Sequence, residues 1–483
     1  MQSRRDRVQA HTFMVGRLGT AMLEGDPNAV DAPMRRTRTG SFIGLALSAL
    51  VCVGFLVFGL IFPGGANSWR QDGKLIVEKE TGATYLYAGG MLRPVANYAS
   101  AKLIQGNKLS VSSVSMASLE GEPKGGPVGI PGAPDSLPDA EEAAAQVWRL
   151  CAVPPTADYP PRTSLTVDAG NPSTRIAHDM AVLVSSPDGD HHLLWQDTRL
   201  RLDTGNGALE ALGYGTSPVL PVTAPFLASV PPGPELTAPD VAGLGEDGPV
   251  LGGRQTVVGQ VFVVPGEGDE RQHYLLGQDG LSPLTATDSR LLLANSDIRD
   301  EAYGGSAPTA VELPAGEVQG NLAAGSEVGR PSDSPVPGTP PALFPVELET
   351  PCLQLGGDGS LELVTHPVDG IRAWPPQETP SIAPGCPTPE LIGIAAGGGG
   401  LAAGRPAGGS TATPTYYLVT DSAAKYPVPD ADTVSALGFD PAAAVEVPTS
   451  LLRLVPTGPL LSPAAAALPV APSARVENTD CPQ

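Results

Sequence analysis

From Ser41 to Phe62 the chain reads SFIGLALSALVCVGFLVFGLIF, 22 residues without a charge, and no other stretch restricts its fold so severely. At 1.5 Å per residue such a helix spans the ~30 Å hydrocarbon layer of a bilayer, and we read it as one transmembrane helix. A buried core helix of this length would carry a polar face. A cleaved signal peptide would have a shorter apolar region of about 7–15 residues and an A-x-A-like cleavage site. Here 40 residues precede the run and no such site stands before Pro63, so a signal anchor fits better.

Arg35, Arg36 and Arg38 stand immediately before the span, whereas the first basic residue after it is Arg70. Positive charge marks the cytoplasmic side, so the N-terminus is expected in the cytoplasm and the rest outside. Residues 1 to 40 have a balance of +3, which with −22 overall leaves −25 beyond the span. Six Lys and that acidity offer no clustered basic surface for phosphate backbones, which excludes nucleic acid as a partner. Trp69 falls just past the outer end, where it either anchors the interface or packs on the following domain.

The cytoplasmic stub has a pattern of its own. Between Arg4 and Leu23, Val8, His11, Met14, Leu18 and Met22 recur at three- and four-residue spacing, which predicts an amphipathic helix stopped by Gly25-Asp26-Pro27. A lone helix has no core of its own, so Val8, Met14, Leu18 and Met22 are expected to face a partner protein or the inner leaflet.

The 58 Gly and 53 Pro rule out a long helical bundle outside, while a 41% apolar fraction is enough for a folded core. The outer region instead repeats itself. Residues 73–104 (GKLIVEKETGATYLYAGGMLRPVANYASAKLI) give strand, turn, strand, turn and a short helical end; residues 180–213, 261–295 and 414–438 return the same order. Each unit is too small to bury both faces alone. The strand-like runs Ala145–Val153, Ser164–Asp168, Ala342–Leu348 and Cys352–Val364 are expected to form a central sheet that supports them. Gly121–Asp139, Pro331–Pro341, Pro384–Pro414 and the tail after Pro463, dense in Gly and Pro, read as linkers.

The expected fold is a single-span membrane protein with a large β-rich (α+β) extracytoplasmic region: four small β-repeats around a central mixed sheet, preceded by the short amphipathic helix. The boundaries are 1–40 for the cytoplasmic stub, 41–62 for the span, 63–120 for repeat 1 and 121–178 for a linker and part of the sheet. Repeat 2 follows over 179–240, repeat 3 over 241–330, more of the sheet over 331–385, repeat 4 over 386–466 and a tail over 467–483.

Of five Cys, Cys52 lies inside the span as a small apolar residue, while Cys151, Cys352, Cys386 and Cys481 lie on the oxidising side. Four Cys allow three pairings. Cys151 and Cys352 each sit on a strand-like run flanking the middle pair of repeats, which predicts a Cys151–Cys352 bridge contributing roughly 4–5 kcal/mol in the chain-entropy description. No C-x-x-C or paired His spacing indicates zinc.

Several stretches carry a family resemblance: TGATYLYAGGMLRPVANYASAKLI (81–104), GIPGAPD (129–135), WRLC (148–151), LLWQDTRLRL (193–202), YLLGQDGLSPLT (274–285), YPVPD (426–430) and VPTSLLRLVPTGPLLSP (447–463). With the Arg-rich N-terminal helix and the single span, they lie in the expected order along nearly the whole chain. The sequence resembles EccB, the single-span membrane component of actinobacterial type VII (ESX) secretion systems. The resemblance implies a structural subunit of a protein-export complex in the bacterial cytoplasmic membrane, partnered by EccC, EccD, EccE and other EccB copies. It also brings in a mycosin-like protease and peptidoglycan, the latter through an alternative role as a cell-wall-binding module.

Family members have also been labelled ATPases. A P-loop needs G-x-x-x-x-G-K-[ST], and none occurs: Gly73-Lys74 is followed by Leu75, and the Gly397–Gly400 run has no Lys near it. H-E-x-x-H and G-x-S-x-G are absent too, and His191-His192, adjacent on a strand, would point to opposite faces. Asp188-Gly189-Asp190 reads as a hairpin turn. No catalytic, cofactor or metal residue is expected.

Overall fold

The computed structural model describes residues 4–24, 34–61, 67–140, 147–168, 172–266, 271–324, 335–346, 348–377, 379–405 and 414–471. Two helices come first, α1 (Arg4–Glu24) and α2 (Met34–Ile61). Unit 1 follows with β1 (Lys74–Glu78), β2 (Thr84–Ala88), β3 (Met91–Pro94), α3 (Tyr98–Gln105) and β4 (Ser110–Val114). The chain then enters a central sheet through β5 (Val147–Val153), β6 (Arg162–Asp168) and β7 (Thr174–Arg175). Unit 2 comprises β8 (Met180–Ser185), β9 (His191–Trp195), β10 (Thr198–Arg201), α4 (Ala208–Ala211) and β11 (Leu220–Pro221).

A separate hairpin, β12 (Asp247–Leu251) and β13 (Arg254–Val257), leads into unit 3: β14 (Val261–Pro265), β15 (Arg271–Gly277), β16 (Gly280–Leu284), α5 (Ala286–Ala294) and β17 (Val311–Glu312). After β18 (Ala342–Leu343) the chain returns to the central sheet as β19 (Glu349–Leu355), β20 (Leu361–Pro367) and β21 (Leu391–Ile394). Unit 4 is β22 (Gly399–Arg405), β23 (Thr415–Thr420), β24 (Ala424–Val428), α6 (Ala431–Leu437) and β25 (Val445–Pro448).

Each unit obeys one connectivity. Three strands meander antiparallel, a helix crosses over, and a fourth strand closes the sheet parallel to the first: β4 on β1, β11 on β8, β17 on β14, β25 on β22. Parallel neighbours need such a crossover, and the helix supplies it. In unit 1 the β2–β3 turn is Gly89-Gly90, both at positive φ (59° and 75°), the mirror-type two-residue hairpin that matches strand twist. In unit 2, Gln196 and Asp197 hold the same conformation (φ 45° and 64°). Each helix opens on a polar cap, in turn Asn97, Asp203 (through the short 3₁₀ turn Thr204–Asn206), Thr285 and Asp430.

The central sheet runs β21-β6-β5-β19-β20-β7, with β21 parallel to β6 and the other neighbours antiparallel. One face carries Trp148, Leu150, Leu165, Leu353 and Leu363, packed against Val182, Val184 and Leu194 of unit 2 and Ala402, Val419 and Val447 of unit 4. Unit 1 reaches this centre through unit 4: Ala99 and Leu103 of α3 share a core with Val434 and Leu437 of α6. Unit 3 reaches it through unit 2, where Leu291 of α5 joins Ala208 and Leu212. The order in space is therefore 1–4–centre–2–3.

Several expectations need correction. Gly121–Asp139 is no linker: Lys124 and Val128 pair parallel with Leu92 and Val95, and Ile130 and Ala133 are buried. Pro384–Pro414 contains β21 and β22, so the glycine run opens a strand and unit 4 begins before residue 414. Within the tail, Ala466 is buried against the unit 1–unit 4 core and Pro469 bridges Val128. Among its described residues the run Ala342–Leu348 forms the two-residue β18, and Cys352–Val364 spans the hairpin of β19 and β20. In Pro331–Pro341, residues 335–341 pack on unit 2 and α5 rather than running free: Val336 lies against the unit 2 core, the Tyr214 hydroxyl donates to the Pro341 carbonyl at 2.8 Å and the Thr287 amide to the Gly338 carbonyl at 3.2 Å, while 331–334 and Phe62 lie outside the described residues.

Candidate functional site

The N-terminal end consists of α1 and α2. Within α2, Thr37–Gly59 is 23 residues with a mean hydropathy of 2.5, and Phe42, Leu45, Leu50, Phe55, Leu56 and Phe58 are all exposed. A helix apolar around its circumference is suited to lipid as solvent. Arg35 and Arg36 fall in its first turn, and exposed Arg38 follows. The helix thus starts seven residues before the uncharged run. On α1, Val8, Met14, Leu18 and Met22 are all exposed, but so are Phe13 and Val15 on either side of Met14. Apolar residues therefore spread beyond a single stripe.

Trp69 is not an interface anchor. It is fully buried in unit 1 against Ile76, Leu92, Val114 and Leu119, with its ring 5.5 Å from and edge-on to that of Tyr87. Five residues, 62–66, separate the end of α2 from the first turn of unit 1.

On the second face of the central sheet, Cys151 and Cys352 are joined, with Val364 and Ile371 packed on them. Along the same strands Arg149, 2% exposed, donates to Asp168 at 3.3 Å and to Gln354 at 3.2 Å, and Ser173 donates to the same Gln354 oxygen at 2.6 Å. Burial, with the Arg149 charge second, pushes the His366 imidazole below its usual value. These groups form a polar interior that holds strands in register. Cys386 is disulfide-bonded as well, and Cys481 lies outside the described residues.

The Gly73-Lys74 and Gly397–Gly400 loops are engaged within the fold. Lys74 donates to the Ser68 carbonyl at 2.9 Å, and the Gly397 amide donates to the Asp421 carboxylate at 2.9 Å. A carboxylate on the loop amide repels the anion that such a loop would cradle. Among the described residues no cluster of His, Cys, Asp and Glu has metal-ligand geometry. His192 is buried and His191 half-exposed, on opposite faces of β9.

What sequence reading missed is how the units close. A segment after each closing strand returns to pair parallel with the outer edge of the third strand: Pro232 and Leu236 on Arg199 and Leu202, Leu322 on Leu281, Thr457 on Lys425, as Lys124 and Val128 do in unit 1. The available signal was the recurring Gly-Pro in GGPVGI (125–130), PPGPEL (231–236) and PTGPLL (456–461). Gly233 lies against Leu200 and Gly458 against the Tyr426 ring, each too close for a Cβ.

The family model described as "Type VII secretion system ESX-1, transport TM domain B" matches residues 1–471. The chain belongs to the EccB family. This EccB-family chain is 26% identical over 490 residues to the "ESX-3 secretion system ATPase EccB3" of Mycolicibacterium smegmatis, covering 95% of this chain and 89% of that protein. It is 26% identical over 514 residues to the "ESX-1 secretion system ATPase EccB1" of Mycobacterium tuberculosis, with 97% and 96% covered. Its fold matches a chain of an intact ESX-5 inner membrane complex (TM-score 0.62, 22% identity, 98% of this chain and 96% of that one). It also matches the EccB3 dimer from an ESX-3 core complex (TM-score 0.61, 24% identity, 82% and 99%). An EccB fold of this kind is a large β-rich body with one apolar N-terminal helix.

Proposed function

We propose that this EccB-family chain is a structural core subunit of a type VII secretion membrane complex. In this role α2 anchors it in the cytoplasmic membrane with the N-terminus inside, α1 docks on cytoplasmic or membrane-embedded components, and the outer body assembles with other copies. The partners are EccC-, EccD- and EccE-type components, with a mycosin-like protease and peptidoglycan in reach of the outer body. The four units are copies of one repeat, and they serve as arms on the central sheet. The observation that carries this reading is the combination of one lipid-suited helix with a series of units packed core to core on a central sheet.

The relatives carry "ATPase" in their names. In this chain the Gly397 amide is already bonded to Asp421, which favours the structural role over nucleotide hydrolysis. The test is extraction in mild detergent from cells expressing every component of the system. Recovery in a large complex containing several copies of the chain together with an EccC-type ATPase is expected, and recovery only as a monomer would refute it. Reporter fusions at both ends check orientation: replacing Arg35, Arg36 and Arg38 with Ser should mix the two topologies, and unchanged orientation would remove those arginines from the account.

A further inference from the structure

The four closing strands hold the same place in four sheets, so they serve as controls for one another. Three are blunted. β11 has two residues and contains Pro221; β17 has two, with Glu312 in it and Pro314 just after; β25 contains Glu446 and ends on Pro448. Short length, charge and proline are the usual devices that keep a sheet edge from recruiting another strand. β4 has none of them. Its five residues, Ser-Val-Ser-Ser-Val, pair with β1 along their whole length, and among the described residues no strand lies on the other side. Ser110, Val111 and Ser113 are exposed, Val111 at 58%, and apolar Met116 just beyond the strand is exposed too. Among the described residues, Ser110 to Ser113 make no hydrogen bond outside the pairing with β1.

We propose that β4 is the edge through which two copies of this chain join, each β4 adding antiparallel to the other. This rests on the assembly of copies set out above and names the strand that does it. The occupant follows from the tether. Only residues 62–66 separate the end of α2 from the first turn of unit 1, so unit 1 lies within about 22 Å of the end of its membrane helix. Copies anchored in one membrane therefore hold β4 at one height. The same strand on a neighbour is the extended segment always available there, and a twofold axis along the membrane normal relates the two. Antiparallel pairing about a dyad is self-complementary, as a twofold interface requires, and places that dyad perpendicular to the unit 1 sheet. Main-chain bonds supply the affinity, and Val111 and Met116 add apolar contact.

The test uses the full-length chain in native membranes in a Cys52→Ser background, with Val111→Cys, Ser112→Cys and Ser113→Cys made singly. Residues facing each other across a dyad have Cβ atoms about 4.5–5.5 Å apart, close to disulfide reach. Mild oxidation should give a covalent dimer at one position or two adjacent ones, at least tenfold above Glu446→Cys on the blunted β25. Retention of the Cys151–Cys352 link in each variant shows that the fold is intact. If copies co-purify but no β4 position cross-links above the control, this inference fails and the assembly reading stands. A cross-link to a different protein also overturns it. Recovery of the unmodified chain only as a monomer sinks both.

Discussion

Cys151 on β5 stands directly opposite Cys352 on β19, Cα to Cα 4.0 Å, and the two sulfurs are bonded across an antiparallel ladder. The link closes a separation of 201 residues that includes units 2 and 3. Non-reducing peptide mapping should recover these two cysteines joined. A Cys151→Ala, Cys352→Ala chain should lose about 5 kcal/mol, read as a lowered melting temperature of the outer region. Both thiols found free, or a double variant that melts with the parent, would contradict this.

Lys425 on β24 is 6% exposed, and its ammonium donates to the Val455 carbonyl at 2.5 Å and to the Thr457 hydroxyl at 2.7 Å. Burial pushes its pKa down to about 8, from 10.5 when unfolded. Below about pH 8 both states are protonated and the burial penalty is present in full. Between about 8 and 10.5 the unfolded chain holds more protons, so stability rises with pH, by ~3 kcal/mol across the window. Denaturant titrations at several pH values should show that rise, and Lys425→Met should abolish it. A Met variant with the parent's slope would exclude Lys425 as the source.

The glycines of the closing segments separate by what lies over them. A Cβ at Gly458 would enter the Tyr426 ring and one at Gly233 would enter Leu200, whereas Gly126 has open space. Gly458→Ala and Gly233→Ala should each cost about 1–3 kcal/mol, and Gly126→Ala should stay within about 0.5 kcal/mol. Equal melting of all three would dismiss the close approach as unimportant.

Helix caps should rank by burial. Asn97 is buried; its amide oxygen accepts from the Ser100 amide and hydroxyl, and its amide nitrogen donates to Ile130. The Thr285 hydroxyl accepts from the Asp288 amide in a part-buried setting. Thr285→Ala should cost about 1 kcal/mol and Asn97→Ala about 2, since it also leaves the Ile130 carbonyl without that donor. Reversal of the order would argue that the caps are not the controlling contacts.

Legibility in the sequence followed period and chemistry. The uncharged run announced α2 because lipid demands length without charge. The meander strands were visible through alternation and turns, as at Gly89-Gly90. What escaped were pieces with no period. β22, Gly-Gly-Leu-Ala-Ala-Gly-Arg, looks like loop by composition, yet it is buried on both sides, where small residues fit and Gly399 sits against the Val419 backbone. Two-residue closing strands such as β11 and β17 are shorter than any alternation can show. Trp69 could be placed only once a pocket existed for it.

The packing of α3 against α6 joins residues around Leu103 to residues around Leu437, the first and last units of the outer chain. A chain made from its N-terminus presents unit 1 first and unit 4 last. At synthesis rates of about 5–20 residues per second, unit 1 waits tens of seconds for the surface that covers α3. Through that interval Ala99 and Leu103 lack the surface that covers them, so the completed body can form only after nearly the whole chain has been made.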